Sequence, residues 1–367
     1  AAVAFGYESE EFAAEMQEQR TRNVLVYDLG GGTFDVTVMS MSGSRFKTLA
    51  TDGDVRLGGR DWDQRLIDYV AAEFIREHGV DPREDPNSLG RLLRECEEAK
   101  RSLSARQRAP IVCESQNRSL RVTVTREEFE AMSLDLLERT AFTTQQTMRA
   151  AKLDWAAIDR VLLVGGATRM PAVGAMLERL SGRHPDASVS PDEAVAHGAA
   201  LRAGMLHDEL QGRAPSIQIQ NVNSHSLGVA GVDPHTKRRQ TAVLIPRNTL
   251  LPCAAKGVFH TSNPNQRSIL VRIVEGESGS PDDCVQIGKC VVRDLPPGLP
   301  AQTPVEVRFQ YAQNGRLAVQ VCIPGTETSL RYDIQRENSL APKQLNEWRE
   351  RVTGLPAVIH ERSCESR

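Results

Sequence analysis

The chain has 367 residues, 40% hydrophobic and 25% charged, with a net charge of −3, the balance of a globular protein large enough for two or three domains. That charge gives no footprint for nucleic acid, no apolar run approaches the roughly 20 residues of a bilayer crossing, and no charged-then-apolar leader opens the sequence, so a cytoplasmic location is expected. The seven cysteines are scattered without a C-x-x-C pair, which points to burial as small hydrophobes rather than to zinc or a disulfide framework.

Ala1 to Gly6 reads as the end of a buried helix, so the chain is expected to open inside an element. From Asn23 to Leu206 strands and helices alternate, the pattern of sheets covered by helices. Strands are predicted at Asn23 to Asp28, Phe34 to Met41, Phe46 to Asp52, Ser119 to Thr125 and Arg160 to Val164. A helix over Arg60 to His78 stops at Gly79, and a second runs from about Asn87 to Ser104. A third opens with the capping box Thr125-x-x-Glu128, a fourth follows Pro171, and a fifth is expected to start with Ser190 as cap and Pro191 in its first turn. Past His207 helical periodicity vanishes. Short β-branched segments follow at Ser226 to Ala230, Thr241 to Ile245, Gly257 to Ser262, Ser268 to Glu275 and Gln286 to Asp294, and alternating strands flank Asn314-Gly315 as a hairpin. The division expected is an α/β domain over 1–206, a polar linker over 207–216, an all-β domain over 217–335, and the start of a helical segment with a tail over 336–367.

Three stretches carry chemistry. Asp28-Leu29-Gly30-Gly31-Gly32-Thr33-Phe34-Asp35 lies between two strands, where the glycines let backbone N–H groups approach phosphate oxygens. Asp28 and Asp35 suit a hydrated Mg²⁺ or an attacking water, and Thr33 adds a hydroxyl. No G-K-[ST] follows, so this is neither a Walker loop nor a dinucleotide fingerprint. A second glycine pair, Gly165-Gly166, stands before Arg169 and Pro171 at a strand-to-helix turn. The helix of the third stretch places Leu89, Leu92, Leu93, Cys96, Ala99 and Leu103 on a buried stripe, with Glu97, Lys100, Arg101 and Ser104 on its flank. Those four suit a ribose and an adenine face, the Arg101 guanidinium stacking on the ring.

With Leu57-Gly58-Gly59-Arg60-Asp61-Trp62-Asp63 and Pro191-Asp192-Glu193-Ala194, these motifs in this order resemble the nucleotide-binding domain of the Hsp70 (DnaK) chaperone family. The resemblance covers nearly the whole chain. It implies a partial actin-like α/β ATPase domain followed by an all-β sandwich that binds extended polypeptide. It places ATP or ADP phosphates on Gly30, Gly31, Gly32 and Thr33, Mg²⁺ and water beside Asp28 and Asp35, and adenosine on Glu97, Lys100, Arg101, Ser104, Gly165, Gly166, Arg169 and Asp192. Catalytic roles fall on Asp28, Thr33 and Asp35. Ser226-Leu227-Gly228, Ile245 to Pro252 and Val274 to Glu277 match sandwich landmarks, and by position Val229, Gly231, Val232, Phe259, Ser262, Ile269 and Val271 line the peptide groove. The implied function is ATP-dependent folding of unfolded polypeptides, in the stress response among other settings, with a J-domain co-chaperone and a nucleotide exchange factor as partners.

The family also has a further glycine-rich hairpin, a lysine and a glutamate ahead of the position of Ala1, a leucine-rich linker where Ser216 to Gln220 has alternating isoleucines, and a long helical lid after Ser339 to Leu345. Without those parts hydrolysis is expected to be slow and bound peptide short-lived. The alternative reading is a lidless peptide-binding module with a non-hydrolysing nucleotide domain. A sugar kinase or filament protein on an actin-like core would not need the sandwich.

Overall fold

The computed structural model describes residues 21–186, 190–214, 217–233, 236–313, 315–326, 328–334 and 347–348. The expectations for Ala1 to Gly6, Pro215, Ser216, Asn314 and Ser339 to Leu345 fall outside them. The chain forms two compact units, Ala1–Ser224 and His225–Arg367.

In the first unit the described elements run β1 (Thr21–Leu29), β2 (Phe34–Ser42), β3 (Arg45–Asp54), α1 (Gly59–His78), α2 (Pro86–Ala105), β4 (Arg108–Ser115), β5 (Arg118–Thr125), α3 (Arg126–Met132), α4 (Leu134–Ala151), β6 (Arg160–Val164), α5 (Pro171–Ser181), α6 (Ala194–Leu210) and β7 (Gln218–Gln220). The main sheet has the order β6-β1-β2-β3-β7. β1, β2 and β3 are antiparallel neighbours, while β6 and β7 add parallel strands at the two edges. Both faces of β1 are buried, which is why Val24 to Tyr27 reads as an unbroken apolar run rather than an alternation. Leu25, Tyr27 and Leu29 join a core with Trp62, Leu66 and Phe74 of α1 and Leu92, Cys96 and Leu103 of α2. Val24 and Val26 pack on the other side with Met41, Phe46, and Ala194 and Met205 of α6.

Local chemistry sets the boundaries. The helix α1 ends at Gly79, whose φ of 72° is the left-handed cap that glycine accepts without strain. The box at α3 forms as expected, with Thr125 accepting from the Glu128 amide and the Glu128 carboxylate accepting from the Thr125 amide. Three expectations need correction. The third helix is broken at Ser133 into α3 and α4, where the Ser133 hydroxyl donates to the Phe129 carbonyl. Leu93 is 43% exposed, because the buried stripe of α2 follows Leu92, Cys96, Ala99 and Leu103 and leaves Leu93 on its flank. The helix α6 begins at Ala194 without a side-chain cap, since Pro191 to Glu193 forms a turn whose Pro191 carbonyl accepts from the Gly165 amide at 2.9 Å.

The second unit has no described helix of its own beyond two helical residues at 347–348. Its strands are β8 (Leu227–Val232), β9 (Arg239–Ile245), β10 (Cys253–His260), β11 (Ile269–Glu275), β12 (Val285–Val292), β13 (Pro304–Tyr311), β14 (Leu317–Cys322) and β15 (Ser329–Asp333). They make two four-stranded antiparallel sheets, ordered β12-β11-β8-β9 and β10-β13-β14-β15. Alternate residues of both, among them Val229, Ile273, Val307, Phe309 and Val319, enter one shared core. The hairpin of β13 and β14 has Tyr311 opposite Leu317 and a left-handed Gly315 at φ 77°.

The helix α6 runs on to Leu210, inside the expected linker, and β7, at the start of the range expected for the β-sandwich, pairs with β3 of the first unit's sheet. Six described cysteines are free thiols. Cys96, Cys113 and Cys290 are buried, and burial pushes their thiols up to about 12, 11 and 11.

Candidate functional site

The glycine loop is the turn between β1 and β2, closed by the Gly30 amide donating to the Thr33 carbonyl at 3.0 Å. Gly31, Gly32 and Thr33 are exposed. A Cβ added at Gly31 or Gly32 would meet nothing within 4 Å, and neither residue has a positive φ. The fold itself therefore does not require glycine at these positions. Gly58 and Gly165 differ. A Cβ on Gly58 would sit 2.4 Å from the Gly32 nitrogen, and one on Gly165 2.4 Å from the Leu29 carbonyl oxygen. Each closes a second turn directly onto the first.

These contacts join residues far apart in sequence. The amides of Gly59 and Arg60 donate to the carbonyls of Gly30 and Gly31, both at 2.9 Å. The Gly59 carbonyl accepts from Lys100 Nζ at 2.8 Å, and that ammonium also pairs with Asp63 at 2.8 Å. The helix α2 is thus fastened to the glycine loop through the start of α1. On the other side, a Cβ on Gly166 would stand 3.1 Å from Asp192 Oδ1, and Asp192 pairs with Arg169 at 2.6 Å. Arg126 holds the far end of α2, with Nε donating to the Leu103 carbonyl at 2.7 Å and the guanidinium donating also to the carbonyls of Ser104 and Arg106.

Asp28 and Asp35 face each other as register partners at the ends of β1 and β2. Burial, and then the like charge of Asp35, raise the Asp28 carboxyl above its ordinary range. A divalent cation next to the pair would relieve that cost, so the donors fit hydrated Mg²⁺. Among the described residues no larger cluster of His, Cys, Asp or Glu could enclose a metal, which leaves water and ligand oxygens to fill the shell.

Of the residues expected on adenosine, Lys100 is half-buried and already engaged with Asp63, while Glu97 and Arg101 pair with each other at 2.6 Å on the exposed flank. The Ser104 hydroxyl donates to the Lys100 carbonyl at 3.3 Å. Two residues of the Leu57-to-Asp63 motif, given no role in the sequence reading, stand beside these. Asp63 is 8% exposed, and its Oδ1 has no hydrogen-bond partner. Arg60 is an exposed cation beside the loop, in the first turn of α1, where the helix dipole favours acids instead.

In the second unit the three landmark segments meet. Glu277 accepts from the Ser226 amide and hydroxyl, both at 2.8 Å, the Arg247 amide donates to the Ser226 hydroxyl, and the Gly276 amide donates to the Ser226 carbonyl. The expected groove residues do not share one surface. Val229 and Val271 are buried in the core, Phe259 and Ile269 pack half-buried against it, Gly231 is half-buried, and Val232 and Ser262 are exposed. Strand alternation turns Val232 to the face opposite Val229.

The protein-family model for Hsp70 protein matches residues 1–355. Chaperone protein DnaK of two strains of Halobacterium salinarum is 38% identical over 342 residues, covering 91% of this chain and 53% of the relative. Chaperone protein dnaK1 of Parasynechococcus marenigrum is 38% identical over 375 residues, covering 100% of this chain and 53% of the relative. The chain therefore spans about half the length of the curated relatives it matches. No helix among the described residues is long and apolar enough to cross a membrane.

Proposed function

The chain belongs to the Hsp70 family, and from that premise we propose that its first unit binds ATP or ADP with Mg²⁺ while its second holds extended, apolar stretches of unfolded polypeptide, as parts of an ATP-dependent folding chaperone. One observation carries the nucleotide half of this reading. Gly59 bridges the Gly30 carbonyl and Lys100, so the glycine loop, α2 and the Gly165 turn form one connected surface although more than a hundred residues separate their ends.

Phosphate oxygens would accept from the amides of Gly31, Gly32 and Thr33, since a glycine triplet leaves room for close approach. Asp28 and Asp35 would hold Mg²⁺ through water, and the ion would supply charge neutralisation to the phosphates. Arg101 and Arg169 would flank the base, each now occupied by an acid, Glu97 or Asp192, that a ligand can displace because both pairs are exposed. Thr33 and the carboxylates would orient water for hydrolysis. For the second unit, Phe259 and Ile269 at the margin of the shared core would supply apolar contacts, and the edge strands of the two sheets would hold a chain through backbone hydrogen bonds. J-domain and exchange-factor partners belong to the same reading.

The test is a thermal-shift titration of the whole chain with Mg-ATP, Mg-ADP and EDTA. Binding at one hundred times Kd adds about 2.7 kcal/mol of stability, so a clear rise of Tm that EDTA reduces is expected. A folded sample with no shift at millimolar nucleotide defeats the nucleotide reading. Failure to bind an apolar heptapeptide separately defeats the peptide reading.

A further inference from the structure

The sheet β12-β11-β8-β9 turns one face to its core, and at Leu270 and Arg272 of β11 its other face is open to solvent and has an unusual composition, while Val274 farther along that face is buried. Along β11 and β12, Val271, Ile273, Cys290 and Val292 are buried. Between them, Leu270 lies opposite Val291 and Arg272 opposite Lys289. Leu270 is 49% and Val291 39% exposed, and both cations are exposed. On β8 the position beside Arg272 is Ala230, which presents no carboxylate. Asp282, a carboxylate of the β11–β12 connection, is taken by Arg239 at 2.7 Å. Among the described residues neither Arg272 nor Lys289 forms an ion pair or a side-chain hydrogen bond.

Two like charges directly opposite on neighbouring strands destabilise a sheet, and exposed aliphatic side chains gain nothing from solvent. Folding therefore gives no reason for this arrangement, and local rules broken without a structural return mark functional surfaces. We propose that this outer face is a docking surface for an acidic polypeptide segment of a partner protein. Its carboxylates would meet Arg272 and Lys289, and an intervening aliphatic side chain would cover Leu270 and Val291. The surface is separate from the apolar groove proposed above, because Ile269 and Val271 alternate to the other side of the same strand. Nucleic acid suits it less well, since the residues between the cations are aliphatic and offer no ring for base stacking. A bilayer also suits it less well, for want of an aromatic anchor.

The test uses the whole chain with a fluorescent peptide of about nine residues that alternates glutamate and valine, a lysine-for-glutamate control, single-stranded DNA, and vesicles containing phosphatidylserine. Binding of the acidic peptide is expected at low salt, weaker at high salt, and weakened about tenfold or more by Arg272→Glu with Lys289→Glu. The same double variant should bind an apolar heptapeptide as the parent does, which separates this surface from the groove. Arg272→Glu alone should raise Tm, since it converts a repulsive cross-strand pair into an attractive one. The proposal is overturned if the acidic peptide fails to bind, if charge reversal leaves its affinity unchanged, if the lysine peptide binds equally well, or if DNA or vesicles bind in its place.

Discussion

At the scale of single residues, Gly31 and Asp28 allow the needs of the fold to be told apart from those of the proposed ligand. A Cβ at Gly31 meets open space, so Gly31→Val should leave Tm nearly unchanged, within about 0.5 kcal/mol of stability. It should abolish the shift with Mg-ATP, because the valine would occupy the place of a phosphate. Loss of folding in that variant would show the glycine to be structural. Asp28 makes the opposite case, because its carboxyl is raised by burial and by Asp35. A carboxylate raised in the folded state contributes favourably while protonated, and that contribution is lost as pH climbs from the ordinary carboxylate range through the raised value. Asp28→Asn should therefore raise the Tm of the ligand-free protein at pH 7, leave it unchanged in strong acid, and remove the effect of Mg²⁺ on nucleotide binding. A Tm that falls at pH 7 would contradict this. Both positions stand out in the sequence as a glycine triplet between two acids at strand ends. The partnership of Lys100 with Asp63 does not, because only the fold brings together residues 37 positions apart.

At the scale of elements, that ion pair fastens α2 to α1. The two side chains are 13% and 11% exposed, so Lys100→Met would strand a buried carboxylate and remove the donor to the Gly59 carbonyl. A loss of about 3 to 5 kcal/mol is expected in urea unfolding, and Asp63→Leu in the same chain should restore much of it. If Lys100→Met alone costs nothing measurable, the pair does not anchor α2. Most strands and helices were legible from period and caps, as at Arg160–Val164 and the box of α3. The misses have physical causes. β4 alternates buried and exposed residues along its length, but Pro110 argues against a strand in sequence and is tolerated because the sheet has only two strands. The break at Ser133 is hidden by apolar periodicity that continues through it. The start of α6 was misplaced because Ser190 and Pro191 carry a capping signature, while tertiary contacts with Gly165 hold those residues in a turn.

At the scale of the whole molecule, two units with separate cores should melt as two calorimetric transitions. Mg-ATP should move only the transition of the first. A single transition raised as a whole would mean that the units unfold together. The change in periodicity after His207 marks the passage to short β-branched segments in the sequence, while the two compact units divide after Ser224. Three residues, Gln218, Ile219 and Gln220, pair with Arg45, Phe46 and Lys47, and so short a strand leaves no pattern to read. So brief a seam has a dynamic meaning. Few backbone bonds secure it, so deuterium should replace its amide protons long before those in the middle of β1, and the ribbon can peel away while the rest of the sheet stays intact. Each departure would uncover Ile217, now 2% exposed beside Met41 and Phe46, and leave a sticky strip on the first unit until the ribbon returns.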